Sequence, residues 1–130
     1  MSKPVILLVD DDKTVLDSLN NQLRSAFHRE VKLENASNPA EAMEILEELD
    51  GQVHLIISDW MMPTEKGDQF LIRVTERWPA IPQIMLSGFA DEESVERARS
   101  GAHLAAYLTK PWSADQVIAL VRQHMLTPAG

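Results

Sequence analysis

Four short segments of this 130-residue chain carry the side chains best suited to chemistry. They are Asp10-Asp11-Asp12, Ser58-Asp59-Trp60, Leu86-Ser87-Gly88 and Thr109-Lys110-Pro111, each directly following an apolar run. Brought together they would supply several carboxylates, a hydroxyl and one ammonium. Crowded carboxylates repel and burial raises the cost, so such a cluster persists by protonation, by pairing or by holding a cation. A single lysine does not neutralise three carboxylates. A donor set of oxygens without histidine or cysteine suits a hard ion, and two or three carboxylates with room for water suit Mg²⁺ rather than a calcium cage. Taken singly the same residues have plainer uses. Asp12 reads as the N-cap of a following helix, Ser87 as a turn residue, and Tyr107 as a packed ring.

The surrounding pattern argues that the segments do meet. Apolar runs alternate with amphipathic stretches along the whole chain, the arithmetic of a βα repeat building a parallel sheet. The runs place strands at 4–9, 31–36, 53–58, 83–87 and 104–109. The first, third and fourth are almost unbroken hydrophobics, as in strands covered on both faces, whereas the second alternates as an edge strand does. Between them, apolar residues recur at helical spacing: Val15, Leu16, Leu19, Leu23 and Phe27, then Ala42, Ile45, Leu46 and Leu49, then Phe70, Leu71, Val74 and Trp78. The fourth stripe, Val95, Ala98 and Ala102, is thin, and the fifth, Val117, Leu120, Val121 and Met125, is strong. Asn38-Pro39 opens the second helix, Gly51 closes it, and Pro79 and Pro82 bracket the turn into the fourth strand. In such a sheet every strand ends at the same edge, so the four polar segments converge there.

Length and composition narrow the function classes. A chain of 130 residues fits one domain with a core that needs no staples, and with no cysteine it has no disulfide, thiolate metal site or cysteine nucleophile. Twelve basic against 20 acidic residues give −8, which opposes direct contact with nucleic acid or anionic lipid. The run Val5 to Val9 is too short for a membrane helix or a signal peptide, and a soluble cytoplasmic protein is expected.

The ordered set of motifs resembles the receiver domain of two-component response regulators over residues 4 to 126. It comprises Asp10-Asp11 after the first strand, Ser-Asp-Trp-Met-Met-Pro with Gly67 following, Leu-Ser-Gly, and Tyr-Leu-Thr-Lys-Pro-Trp. The resemblance implies an α/β, flavodoxin-like, doubly wound sheet of five parallel strands in the order 2-1-3-4-5 with five helices. The receiver would occupy residues 1–126, leaving 127–130 as a tail or linker stub. It further implies that Asp59 accepts a phosphoryl group and that Asp11, Asp59 and the Met61 carbonyl ligate Mg²⁺, with Asp10 helping through water. Ser87 and Lys110 would bind the incoming phosphoryl group, and Ser87 and Tyr107 would form the switch. Met61 and Phe89 occupy positions that modulate water access in the family, and both are apolar here.

The implied donor is a sensor histidine kinase or histidine phosphotransfer protein. The output face is the fourth helix, fifth strand and fifth helix, through which a homodimer could also form. On this reading the chain is no enzyme beyond its own phosphorylation and dephosphorylation. The stretch from Leu-Ser-Gly-Phe-Ala-Asp to Tyr-Leu-Thr-Lys-Pro-Trp is similar to receivers fused to cyclic-dinucleotide phosphodiesterases or to certain transcriptional activators.

Three other readings compete. Asp10-Asp11-Asp12-Lys13-Thr14 fits the Asp-x-Asp-x-Thr of a haloacid-dehalogenase-type phosphohydrolase, with Asp10 as nucleophile and Asp12 as acid/base, but leaves Asp59 unexplained. A flavodoxin-type FMN carrier shares the sheet order, yet three aspartates would repel its phosphate. A receiver-fold scaffold without phosphorylation would keep the pocket as a relic.

Overall fold

The computed structural model describes residues 3–60, 62, 65–87, 92–109 and 112–124. The strands are β1 (Val5–Val9), β2 (Lys32–Ala36), β3 (Leu55–Asp59), β4 (Gln83–Ser87) and β5 (Leu104–Thr109), and the helices are α1 (Lys13–Phe27), α2 (Pro39–Glu48), α3 (Gly67–Arg77), α4 (Glu92–Gly101) and α5 (Ala114–His124). All strand pairs are parallel and the order is β2-β1-β3-β4-β5. The fold class and strand order expected from the sequence are therefore observed. Residues 125–130 lie outside the described residues, and with them Met125 of the fifth stripe and the expected tail.

Two apolar layers sandwich the sheet. On one face Leu7, Val9, Ile56 and Met85 pack with Ala42 and Leu46 of α2 and Phe70, Leu71 and Val74 of α3. On the other, Ile6, Leu8, Ile57, Ile84 and Leu86 pack with Leu16, Leu19, Leu23 and Phe27 of α1 and Val117 and Val121 of α5. β1, β3 and β4 are buried at every residue, as unbroken apolar runs demand, while β2 at the edge buries only Ala36 fully.

The helix ends follow local chemistry. Asp12 caps α1 through an oxygen that accepts from the Thr14 N–H at 2.9 Å, and Asn38 caps α2 by accepting from Glu41 N–H at 2.8 Å, with Pro39 in the first turn. Gly51, at φ +71, donates to the Leu46 carbonyl at 2.8 Å and closes α2.

Two details differ from expectation. β3 begins at Leu55 rather than Val53 and extends to Asp59. Val53 is buried and apolar without joining the ladder, and the His54 ring enters it instead: its Nδ1 accepts from the Val5 N–H at 3.0 Å while the His54 N–H donates to the Val5 carbonyl. In β5, the register advances from Leu104 to Ala106 while β4 advances by one residue. The extra residue, Ala105, lets Leu104 and Tyr107 face the same layer.

Phe70 is fully buried at the centre of the α3 face. Phe70→Ala is expected to lower unfolding stability by about 3–5 kcal/mol, read from the urea midpoint; a loss near zero would show that this layer does not carry the fold.

Candidate functional site

The register of β1 and β3 builds the site. Val9 pairs with Ser58, so the next residues, Asp10 and Asp59, emerge side by side at the C-terminal edge. Asp10 is buried: its N–H donates to the Ala36 carbonyl at 3.1 Å, and its Oδ1 accepts from the Asp12 N–H at 2.8 Å, which turns the chain toward α1. Asp11 is exposed and Asp59 is 8% exposed. One oxygen from each of Asp10, Asp11 and Asp59 lies within 4.8 Å of the others. Two unit charges about 4 Å apart repel by roughly 4 kcal/mol at an effective dielectric of ~20. Three oxygen donors, buried on one side and open through Asp11 on the other, fit a hard divalent cation that keeps part of its water.

The remaining strand ends bring further groups to the same edge. Asp59 pairs with Leu86, so Ser87, almost fully buried, sits one residue beyond Asp59's neighbour; Ser87 in turn pairs with Thr109. Tyr107, in register with Met85, is half-buried against the α2–α3 layer. Met61, Phe89 and Lys110 lie outside the described residues. Asp12 is engaged as the helix cap, a plainer use than the acid/base role of the phosphohydrolase reading.

The backbone around Asp59 is tied closely. The Ser58 hydroxyl donates to the Asp59 carbonyl at 3.0 Å, the Trp60 N–H to the Leu86 carbonyl at 2.9 Å, and the Gly67 N–H to the Trp60 carbonyl at 2.7 Å. Gly67 has no room for a side chain, since a Cβ there would stand 2.3 Å from the Asp59 carbonyl oxygen and 2.8 Å from the Trp60 Cα. Glu65 grips Arg73 with both oxygens, at 2.7 and 2.6 Å, and this hydrogen-bonded carboxylate pushes the guanidinium pKa further above its ordinary value. The segment leading into α3 is thereby fastened to the helix. Trp60 is buried, at 4% exposure, with the Lys66 ammonium 4.8 Å from its ring centre.

Sequence reasoning missed Asp68. It is fully buried and paired with Arg97 at 2.6 Å. The available signal was its position three residues before Leu71, on the apolar face of α3, where a charge needs a partner.

With this geometry in place, comparison with known proteins is direct. The sequence profile of the response regulator receiver domain matches residues 6–122. The chain belongs to that family. It is 35% identical over 119 residues to the hydrogenase transcriptional regulatory protein HoxA of Bradyrhizobium diazoefficiens, covering 91% of this chain and 23% of that protein. It is 33% identical over 124 residues to the response regulator protein FleR of Pseudomonas aeruginosa, covering 93% and 24%. The receiver therefore spans about a quarter of these regulators. Among solved structures, the signal receiver domain of an HD domain-containing protein from Pseudomonas fluorescens superposes with a TM-score of 0.85 at 28% identity, covering 95% of this chain and 94% of that one. Receivers of this family accept phosphoryl groups from histidine kinases and act as phosphorylation-activated switches in two-component signalling.

The closeness of Gly67 to the receiver's Asp59 carbonyl generates a prediction. Gly67→Ala is expected to cost about 1–3 kcal/mol by overpacking and to weaken Mg²⁺ binding, read by urea unfolding and by Mg²⁺ titration of tryptophan fluorescence. Unchanged values in both would show that the loop yields freely.

Proposed function

We propose that this receiver takes a phosphoryl group from a phosphohistidine onto Asp59, and signals through α4, β5 and α5. The observation that carries the reading is the grouping of Asp10, Asp11 and Asp59 oxygens within 4.8 Å at the end of β1 and β3. In the transfer the N–P bond of the donor breaks, an O–P bond forms on an Asp59 oxygen, and the donor imidazole leaves. A carboxylate is an adequate nucleophile for this if it is aligned and the transferring charge is neutralised.

Asp11 and Asp59, with the Met61 carbonyl, would hold Mg²⁺, and Asp10 would act through a bound water. When bound, the ion offsets the charge of the transferring group. Lys110 and Ser87 would bind the phosphoryl oxygens. Asp10, Asp11 and Asp59 contribute −3 against +3 from Mg²⁺ and Lys110. Exchanging one carboxylate for a phosphoryl group of about −2 leaves roughly one extra negative charge, which calls for hydrogen-bond donors. The Ser87 hydroxyl would move inward to donate, and the space it leaves beside β4 would admit the Tyr107 ring. α4 buries no apolar side chain completely among its described residues, which suits an element that shifts.

The donor would be a sensor histidine kinase or histidine phosphotransfer protein. The α4–β5–α5 face would meet an output domain, a partner or a second copy. With a net charge of −8 the receiver itself would not bind nucleic acid directly. No helix among the described residues is long and apolar enough to cross a membrane, which accords with action in the cytoplasm. The receiver would span 1–126, with 127–130 a tail or linker stub, and its catalysis would be confined to its own phosphorylation and dephosphorylation.

Intact mass after exposure to acetyl phosphate tests the reading. One phosphoryl adduct is expected with Mg²⁺, absent without Mg²⁺ and absent from Asp59→Asn. An adduct that persists in Asp59→Asn would overturn the assignment. Apolar Met61 and Phe89 are expected to restrain the attacking water, so the Met61→Asn, Phe89→Glu variant should lose its phosphoryl group several-fold faster than wild type. A slower decay in the variant, followed by the same mass measurement, would contradict that role.

A further inference from the structure

α4 is anchored differently from the other helices. α1 fixes itself to the sheet through four buried apolar side chains, and α3 through Phe70, Leu71 and Val74. α4 offers the half-buried Val95, a close approach of Gly101 to Ile72 of α3, and Arg97. The Arg97 guanidinium, itself 47% exposed, reaches across to a carboxylate that is 0% exposed: Asp68 Oδ2, at 2.6 Å. The second oxygen, Oδ1, is buried with no hydrogen-bond partner. The contact is monodentate, and among the described residues Arg97, from a neighbouring helix, is the cation paired with the buried Asp68.

A first-turn acid on a helix favours the helix dipole, and that would be the simplest use of Asp68. It does not account for the burial. Glu41 and Asp115 hold the corresponding first-turn places in α2 and α5, and both are exposed. Asp68 does not cap the helix either, since its Oδ2 accepts from Arg97 and the Lys66 N-cap makes no side-chain bond. Its location ties it to the site. It follows Gly67, whose N–H holds the Trp60 carbonyl and whose Cα lies against the Asp59 carbonyl. The pair thus joins the phosphoacceptor loop to the output helix in two residues.

We infer that Asp68 and Arg97 form a latch that positions α4 in the resting state, so that the strength of this pair sets how readily the domain is phosphorylated. Removing one partner of a buried pair leaves a charge uncompensated, so the arrangement holds α4 sharply while Arg97 stays and loosely once it leaves. A shift of α4 on phosphorylation that breaks this contact forfeits its energy, so by linkage a weaker latch makes phosphorylation more favourable. The regulatory half rests on the proposed role of Asp59 and α4; the anchoring half does not.

The test compares wild type with Arg97→Met, which keeps the apolar stem, with Arg97→Lys, which keeps the charge, and with the double variant Asp68→Leu/Arg97→Met. The double variant removes the buried charge, so it folds even if Arg97→Met does not. Amide hydrogen exchange is measured without phosphodonor, and the rate of adduct formation with acetyl phosphate and Mg²⁺ is measured by intact mass. Expected is faster exchange confined to 92–101 in Arg97→Met and in the double variant, with α1 and β1 unchanged and Arg97→Lys close to wild type. Adducts should form roughly three- to tenfold faster in the loosened variants. Exchange that is unchanged in α4, or raised equally across the fold, overturns the latch. Selective loosening with no gain in rate overturns its link to phosphorylation. Failure of wild type to take a phosphoryl group on Asp59 would instead sink the functional reading, and the exchange result would still decide the anchoring.

Discussion

Three carboxylates held within 4.8 Å of one another oppose folding wherever they are ionised together, and most of the fold can be understood from how they are kept there. Their positions start from the backbone. Val9 pairs with Ser58 and Asp59 with Leu86, so Asp10 and Asp59 cannot separate without breaking a parallel ladder. That ladder is buried on both sides, with Leu7, Leu8, Ile56 and Ile57 divided between two apolar layers. The same crowding that costs stability makes a group of oxygen donors that could hold a divalent ion. A site assembled on strand ends, with Gly67 pressed against the Asp59 carbonyl, is stiff, and stiffness is what an aligned transfer needs.

Much of this was legible in the sequence because it depends on periodicity and on strand direction. Unbroken apolar runs marked β1, β3 and β4, the alternation of β2 marked an edge, and parallel connection put Asp10, Asp11, Asp59 and Ser87 at one rim. The failures have physical reasons. Apolarity reports burial and not hydrogen bonding, so Val53 looked like strand although β3 begins at Leu55. The His54 ring taking a backbone N–H in the ladder has no pattern of its own. The extra residue in β5 could not be read from a stretch as evenly apolar as Leu-Ala-Ala-Tyr-Leu, and it decides which layer Tyr107 joins.

Asp68 was hidden by the opposite error. A charge in the first turn of a helix reads as solvated, and only the side-chain register with Leu71, together with an arginine 29 residues later, shows it to be interior. Trp60 is a similar case, since it follows the acidic Asp59 yet is buried in the same apolar cluster as Phe70 and Met62. Neighbours in sequence are poor guides where strand and loop meet, because successive side chains there point to different environments.

The two kinds of anchorage divide the molecule by function. Apolar burial is non-directional and adds up over many contacts, so a helix such as α1, with Leu16, Leu19, Leu23 and Phe27 inside, has no cheap alternative position. A charged pair is short-ranged and directional, and its partner is replaceable by water only at high cost when one side is buried. A helix that adds such a pair to a few apolar contacts has one restraint that is either made or broken. The thin stripe of α4 and the depth of Asp68 are complementary: Val95 gives α4 a modest apolar hold among its described residues, and Asp68 adds a directional one from α3, next to Gly67.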